Sequence, residues 1–267
     1  MSTPSFLAAA LVLNSTGLFA ADALTLEQKQ AFLLKARVIN VKVAKKGVTG
    51  ARDATLSDGT LTHLASIQTI DESRPVFQPN GGPTELNFRD TYIFNIAAWK
   101  LARMLGIDDM VPVSVSRQYQ GKGASFTWYV DDIALDEQAR LAKKIEPPDI
   151  DSWNREIQVM HVFDQLIYNN DSNATNLLID KQWHIWLIDH TRSFRMQKDF
   201  QDPKMVNRCD RNLLAKMKAL NAADLEKELK AELNSKQIDA LLARRDLLVK
   251  FFEGKGESVM FDRPSRR

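Results

Sequence analysis

Cysteine is nearly absent from this chain: Cys209 stands alone among 267 residues, which excludes an intramolecular disulfide and any thiolate metal cluster. Histidine is scarce too. His63, His161, His184 and His190 show neither metal-ligand spacing nor an HExxH pattern. An excess of either charge is also lacking, since 36 Lys and Arg face 34 Asp and Glu for a formal net charge of +2. That balance removes the clustered cations on which nucleic-acid and anionic-membrane surfaces rely, so neither partner is expected. No apolar run is long and clean enough to span a bilayer, and there is no internal repeat or low-complexity tract.

What is present has the composition of an ordinary globular protein, 44% hydrophobic and 26% charged, in a chain long enough to bury two small cores. The apolar run Phe6 to Leu13, followed by small residues around Ala20, Ala21 and Ala23, reads as an export signal over residues 1–23 or as a plain N-terminal helix. As a signal it implies a periplasmic or secreted protein with no integral membrane segment after processing. At the other end, Arg263, Arg266 and Arg267 read as a frayed basic tail.

Periodicity divides the remainder. Thr25 to Lys35 suits a short helix, and Ile39, Val41 and Val43 alternate on one face of a strand that ends in a turn-rich stretch at Lys45 to Gly50. Strands are expected through Arg52 to Leu56 and Thr62 to Ile70, reversed by Ser57-Asp58-Gly59. Three prolines and two glycines make Asp71 to Asn87 a loop. A helix from near Asp90 carries Ile93, Ile96, Ala97, Leu101 and Met104 and closes at Gly106; strands follow at Val111 to Val115 and Ser125 to Val130. The charged stretch Asp131 to Ile145 reads as a linker. Beyond it Trp153, Ile157, Met160, Phe163 and Ile167 form a helical stripe, two short strands cover Asn176 to Ile179 and Trp183 to Ile188, and amphipathic helices occupy Asn212 to Phe252. The class is α+β, with residues 24–131 as an N-terminal lobe and 132–267 as a mainly helical C-terminal lobe.

The chemistry concentrates in Phe163-Asp164-Gln165-Leu166-Ile167-Tyr168-Asn169-Asn170-Asp171, then Asn176 and Leu187-Ile188-Asp189. An acid lies in the loop after an apolar helix, an amide starts the next strand, and a second acid ends the strand after that. Phosphoryl transfer from ATP uses such parts: one carboxylate takes the acceptor proton while an amide oxygen and another carboxylate hold Mg2+ or Mn2+. Asp164, inside the helix, reads as a hydrogen-bonded anchor of the loop. Gly47 and Gly50 bring backbone amides to phosphate or simply turn a hairpin.

This segment resembles the catalytic region of atypical kinases related to phosphoinositide lipid kinases, HipA-type kinases and secretory-pathway casein kinases. Asn95-Ile96-Ala97-Ala98-Trp99-Lys100-Leu101-Ala102-Arg103, followed by Val111-Pro112, is similar to a helix of the casein-kinase branch. The resemblance implies a two-lobed protein-kinase-like fold, Asp171 as catalytic aspartate, Asn176 and Asp189 as metal ligands, and a nucleotide seated by Gly47, Gly50, Gln68 and Asn95. It also implies ATP with Mg2+ or Mn2+; with no basic cluster to meet a lipid head group, the acceptor is expected to be a protein or small-molecule hydroxyl. One departure is chemical: Gln68 and Asn95 stand where the family has a Lys–Glu ion pair. Two neutral amides there are expected to hydrogen-bond each other, and they leave open whether the chain transfers phosphate or is a pseudokinase that binds nucleotide or serves as a scaffold.

Overall fold

The computed structural model describes residues 24–43, 51–78, 84–169, 171–264 and 266. The expected export signal at 1–23 and the turn carrying Gly47 and Gly50 lie outside them. A first helix, α1 (Leu26–Lys35), is started by a reciprocal cap in which Gln28 N–H donates to Thr25 Oγ1 at 3.2 Å and Thr25 N–H to Gln28 Oε1 at 2.8 Å. Strands β1 (Arg37–Val43), β2 (Arg52–Ser57) and β3 (Thr62–Gln68) run antiparallel, and Asp58 Oδ1 closes the β2–β3 turn by accepting from Thr60 and Leu61 N–H. Then come β4 (Asp71–Phe77), β5 (Glu85–Thr91), α2 (Ile93–Leu105), β6 (Ser114–Tyr119) and β7 (Lys122–Trp128). The main sheet has the order β1-β2-β3-β7-β6. α1 and α2 both pack on β6 and β7.

α2 is buried over most of its surface, with Trp99, Phe94, Leu101 and Leu105 sealed between the sheet and later helices. Each such side chain stabilises the fold by about 1.5–3 kcal/mol relative to exposure. Gly106 ends the helix with φ +70°, a left-handed turn that a side chain makes costly.

The second half opens with β8 (Ile133–Asp136), α3 (Glu137–Lys143) and α4 (Ile150–Ile167), continues through β9 (Leu177–Asp180), β10 (Ile185–Leu187) and β11 (Cys209–Asp210), and ends with α5 (Arg211–Ala219), α6 (Ala222–Leu229), α7 (Ser235–Lys255) and β12 (Met260–Phe261). β10-β9-β8 form a small antiparallel sheet, and α4 packs against β10, β11 and α7. The α4 stripe is core: Trp153, Met160, Phe163 and Ile167 are buried, with Ile157 partly so. The α+β plan of an antiparallel sheet in the N-terminal half and a mainly helical remainder therefore holds. No helix among the described residues is long and apolar enough to cross a membrane.

Four expectations are corrected. Residues 71–77 and 85–91 form a hairpin, β4–β5, rather than a loop. It stands as a separate two-stranded ribbon in which the missing N–H of Pro75 falls between the paired residues Arg74 and Val76, so the proline is tolerated. Asp131 to Ile145 is not a linker but β8 and α3, with Asp136 Oδ1 capping the helix by accepting from Ala139 N–H at 2.8 Å. In β1 the register shifts between Val38 and Asn40, so Val38 and Val41 pack on the core while Ile39 is 57% exposed.

Arg263 and Arg266 of the basic tail are also not frayed, while Arg267 lies outside the described residues. Arg263 binds Asp109 at 2.7 Å, and Arg266 Nε binds Glu156 Oε1 at 2.9 Å while Arg266 Nη1 donates to Asp109 O and Ile185 O. These side chains are almost fully buried. Breaking a buried pair costs about 3–5 kcal/mol because it strands the partner's charge. Arg266→Ala is therefore expected to lower unfolding free energy by about 3 kcal/mol in urea titration; a loss below about 1 kcal/mol, the scale of exposed pairs, would show a tail that contributes little.

Candidate functional site

A cavity of about 370 Å³ lies between the main sheet and the β9–β10 hairpin. Val111, Pro112, Val130, Leu178 and Leu187 give it apolar walls, while Gln68, Asn95, Asn176 and Asp189 gather at its polar side. Each of these four comes from a different element: the last residue of β3, the third residue of α2, the residue before β9, and the second residue after β10. Asn176 and Asp189 are brought together by the hairpin itself, because Ile188 N–H donates to Asn176 O at 3.0 Å.

The amides are wired to the acid. Asn95 Nδ2 donates to Gln68 Oε1, Gln68 Nε2 donates to Asp189 Oδ1 at 3.1 Å, and His190 N–H returns to Asn95 Oδ1 at 2.8 Å. The neutral pair is thus hydrogen-bonded internally, and it also orients the acid. Asp189 sits at φ +58°, a left-handed conformation that Asp tolerates better than most side chains. Burial raises its carboxyl pKa, the Gln68 and Thr191 hydrogen bonds oppose that rise, and the Asp171 charge adds to it. His190 is buried and pushed down to about 4, so it is neutral and brings no cation to the site.

Asp171 does not line the cavity but stands beside it. Asn176 Nδ2 donates to Asp171 O at 3.0 Å, which leaves Asn176 Oδ1 as the end available to a cation. Asn173 Nδ2 holds Asp171 Oδ1 at 3.1 Å. Asp164 is the anchor beneath: its Oδ1 accepts from Asn169 Nδ2 at 3.0 Å and its Oδ2 from Ser172 Oγ at 2.6 Å, while Asn169 Oδ1 accepts from Asp171 N–H at 3.1 Å. The loop carrying Asp171 is therefore bonded at both flanks to one buried carboxyl. Gly47 and Gly50 lie outside the described residues.

Asp53 and Asp136 also line the cavity, and no Lys or Arg does so among the described residues. Neither acid belongs to a motif, so the sequence carried no signal for them. Asp90 was read only as a helix start; it is buried at the end of β5, where burial and the charges of Asp189 and Asp171 raise its pKa against the Thr191 hydrogen bond and Arg192. Among the described residues no three acidic, histidine or cysteine side chains form a ready-made metal cage. An amide oxygen and one carboxylate still suit Mg2+, which commonly takes one or two protein ligands and completes its shell with water and phosphate.

No protein-family model and no curated protein matches the chain. Among solved structures it is similar to the crystal structure of a Helicobacter pylori proinflammatory kinase, CtkA, with 12% identity and a TM-score of 0.46. That likeness covers 78% of this chain and 91% of the other.

The Asp164 anchor has a thermodynamic signature. Burial raises its carboxyl from 3.8 to about 6, so the folded chain holds this proton more tightly than the unfolded one. Its contribution is present below the unfolded value and is lost as pH rises through about 6. Between pH 4 and 7 wild type is expected to lose about 2 kcal/mol from this group, a slope that Asp164→Asn removes; identical pH profiles of unfolding free energy in the two proteins would contradict it.

Proposed function

We propose that this chain is a phosphotransferase of the atypical kinase type, taking a nucleoside triphosphate with Mg2+ or Mn2+ in the cavity between lobes 24–131 and 132–267. The observation that carries the reading is the adjacency of Asn176 and Asp189, pinned by the Ile188–Asn176 hydrogen bond at the polar side of an otherwise apolar cavity, with Asp171 one hydrogen bond away. Apolar walls suit a base, and the polar side suits phosphates held through a cation.

The residues fit that cation. Asn176 Oδ1 and the Asp189 carboxylate are hard oxygen donors, and burial is the main reason the Asp189 pKa is raised, a desolvation that a bound cation would offset. A bound divalent ion would supply neutralisation of the phosphate oxygens. Gln68 and Asn95 hold the Asp189 carboxylate in place. Asp171 accepts the proton of the acceptor hydroxyl as the hydroxyl oxygen bonds to the terminal phosphorus and the nucleoside diphosphate leaves. The acceptor is a protein or small-molecule hydroxyl, since the nearly neutral charge balance favours neither nucleic acid nor an anionic lipid surface.

A second reading is favoured by one specific feature, the neutral Gln68–Asn95 pair. With no cation there to reach the phosphates, the same cavity suits a pseudokinase that binds nucleotide and acts through a partner.

Mg-ATP is expected to raise the melting temperature of wild type, and Asp189→Ala to abolish that rise. Asp171→Ala is expected to keep the rise but lower transfer of labelled phosphate by about 100-fold or more. Binding without transfer across a broad panel of acceptors selects the pseudokinase reading, and absence of binding rejects both.

A further inference from the structure

Two apolar walls of the cavity come from distant parts of the chain. Val111 and Pro112, between α2 and β6, form one, and Leu187, at the end of β10, belongs to the other. A single side chain joins them. Arg266 Nη1 donates to Asp109 O at 2.9 Å and to Ile185 O at 3.1 Å. One nitrogen thus bonds the carbonyl two residues before Val111 and the carbonyl two residues before Leu187. Leu187 N–H adds a direct bond across the same gap, to Met110 O at 2.8 Å.

Glu156 of α4 fixes the guanidinium from another side. Arg266 Nε donates to Glu156 Oε1 at 2.9 Å, while Glu156 Oε2 accepts from Ile185 N–H at 2.7 Å, so both backbone groups of Ile185 engage this ion pair. The Arg266 side chain is only 8% exposed, which leaves little water to take over its bonds. It does not line the cavity itself. It lines a second one of about 650 Å³ that shares Pro112 and Val130 with the first, and so acts on the walls from behind. A planar guanidinium presents its donors in a fixed fork and can hold several acceptors in set directions, which the flexible ammonium of lysine cannot.

We propose that Arg266 is a positioning residue that fixes the spacing between the Val111–Pro112 wall and the Leu187 wall, and through that spacing the affinity of the cavity for Mg-nucleotide. The clause on affinity rests on the phosphotransferase reading; the tie between the walls does not. Arg263 makes the contrast. It binds the Asp109 carboxylate at 2.7 Å, and its N–H donates to Asp210 Oδ2 at 2.8 Å, so it secures the same turn through partners outside β10. Of the two buried arginines, Arg266 is the one bonded to both sides of the cavity.

The test compares Arg266→Lys and Arg263→Lys with wild type, each as the full chain, at a temperature where all three are folded. Amide hydrogen exchange is followed residue by residue by nuclear magnetic resonance. In Arg266→Lys the Leu187 amide is expected to accelerate about tenfold more than the α7 amides, which report global opening; in Arg263→Lys the two are expected to change alike. Calorimetry is expected to show Mg-ATP bound about fivefold or more weakly by Arg266→Lys and with wild-type affinity by Arg263→Lys. Should Arg266→Lys fold poorly, Glu156→Gln loosens the same guanidinium and takes its place. Leu187 and α7 amides accelerated alike in Arg266→Lys, as a merely structural arginine requires, or wild-type Mg-ATP affinity in that variant, overturns the proposal. A wild type that binds no Mg-ATP rejects the phosphotransferase reading and the clause on affinity with it, while Leu187 exchange still decides whether Arg266 ties the walls.

Discussion

The hydrogen bond from Asn95 to Gln68 holds together three segments that are far apart in the chain. Through it β3, α2 and the residues after β10 share a closed circuit: Asn95 to Gln68, Gln68 to Asp189, and the backbone of His190 back to Asn95. A side-chain amide has a donor end and an acceptor end, and each amide here uses both. An ion pair in the same buried place would pay desolvation on both charges. The neutral circuit avoids that cost and still positions Asp189. Its consequence is chemical, because no side chain in the circuit brings positive charge to a phosphate.

That deficit shapes the rest of the site. Asp53, Asp136 and Asp189 line the cavity, Asp90 and Asp171 stand close by, and the one histidine at the cavity is held neutral by burial. On the proposed reading, such a site would repel a free triphosphate and favour one that arrives with its cations. The same electrostatics explain why the carboxyls of Asp189 and Asp90 are both raised, with burial as the main cause and neighbouring acids adding to it.

β10 is the strand on which both sides of the molecule are fastened. Ile185 N–H donates to Glu156 and Ile185 O accepts from Arg266, so α4 and the C-terminal tail grip its start. Leu187 N–H donates to Met110 O, which ties it to the turn after α2, and the amide circuit takes hold just beyond its end. Site residues carried by a strand held in this way have little freedom to drift, which suits a metal ligand that must be placed within about 0.5 Å.

By itself the sequence determined the features that depend on neighbours a few residues away. The α4 stripe, the Gly106 stop, the Asp58 turn and the order of Asp171, Asn176 and Asp189 all follow from local periodicity, capping and spacing. The α+β plan follows from the same patterns. The β4–β5 ribbon escaped that reading because β4 is exposed along nearly its whole length and has no apolar alternation to betray it. Burial of Arg263 and Arg266 was equally hidden, since it needs Asp109 and Glu156 to come to them from other elements. Asp90 looked like one more polar residue before a helix. Only the tertiary structure decided that it would lose its water beside Asp189, because desolvation and long-range pairing are properties of what the folded chain brings together, and no local pattern encodes them.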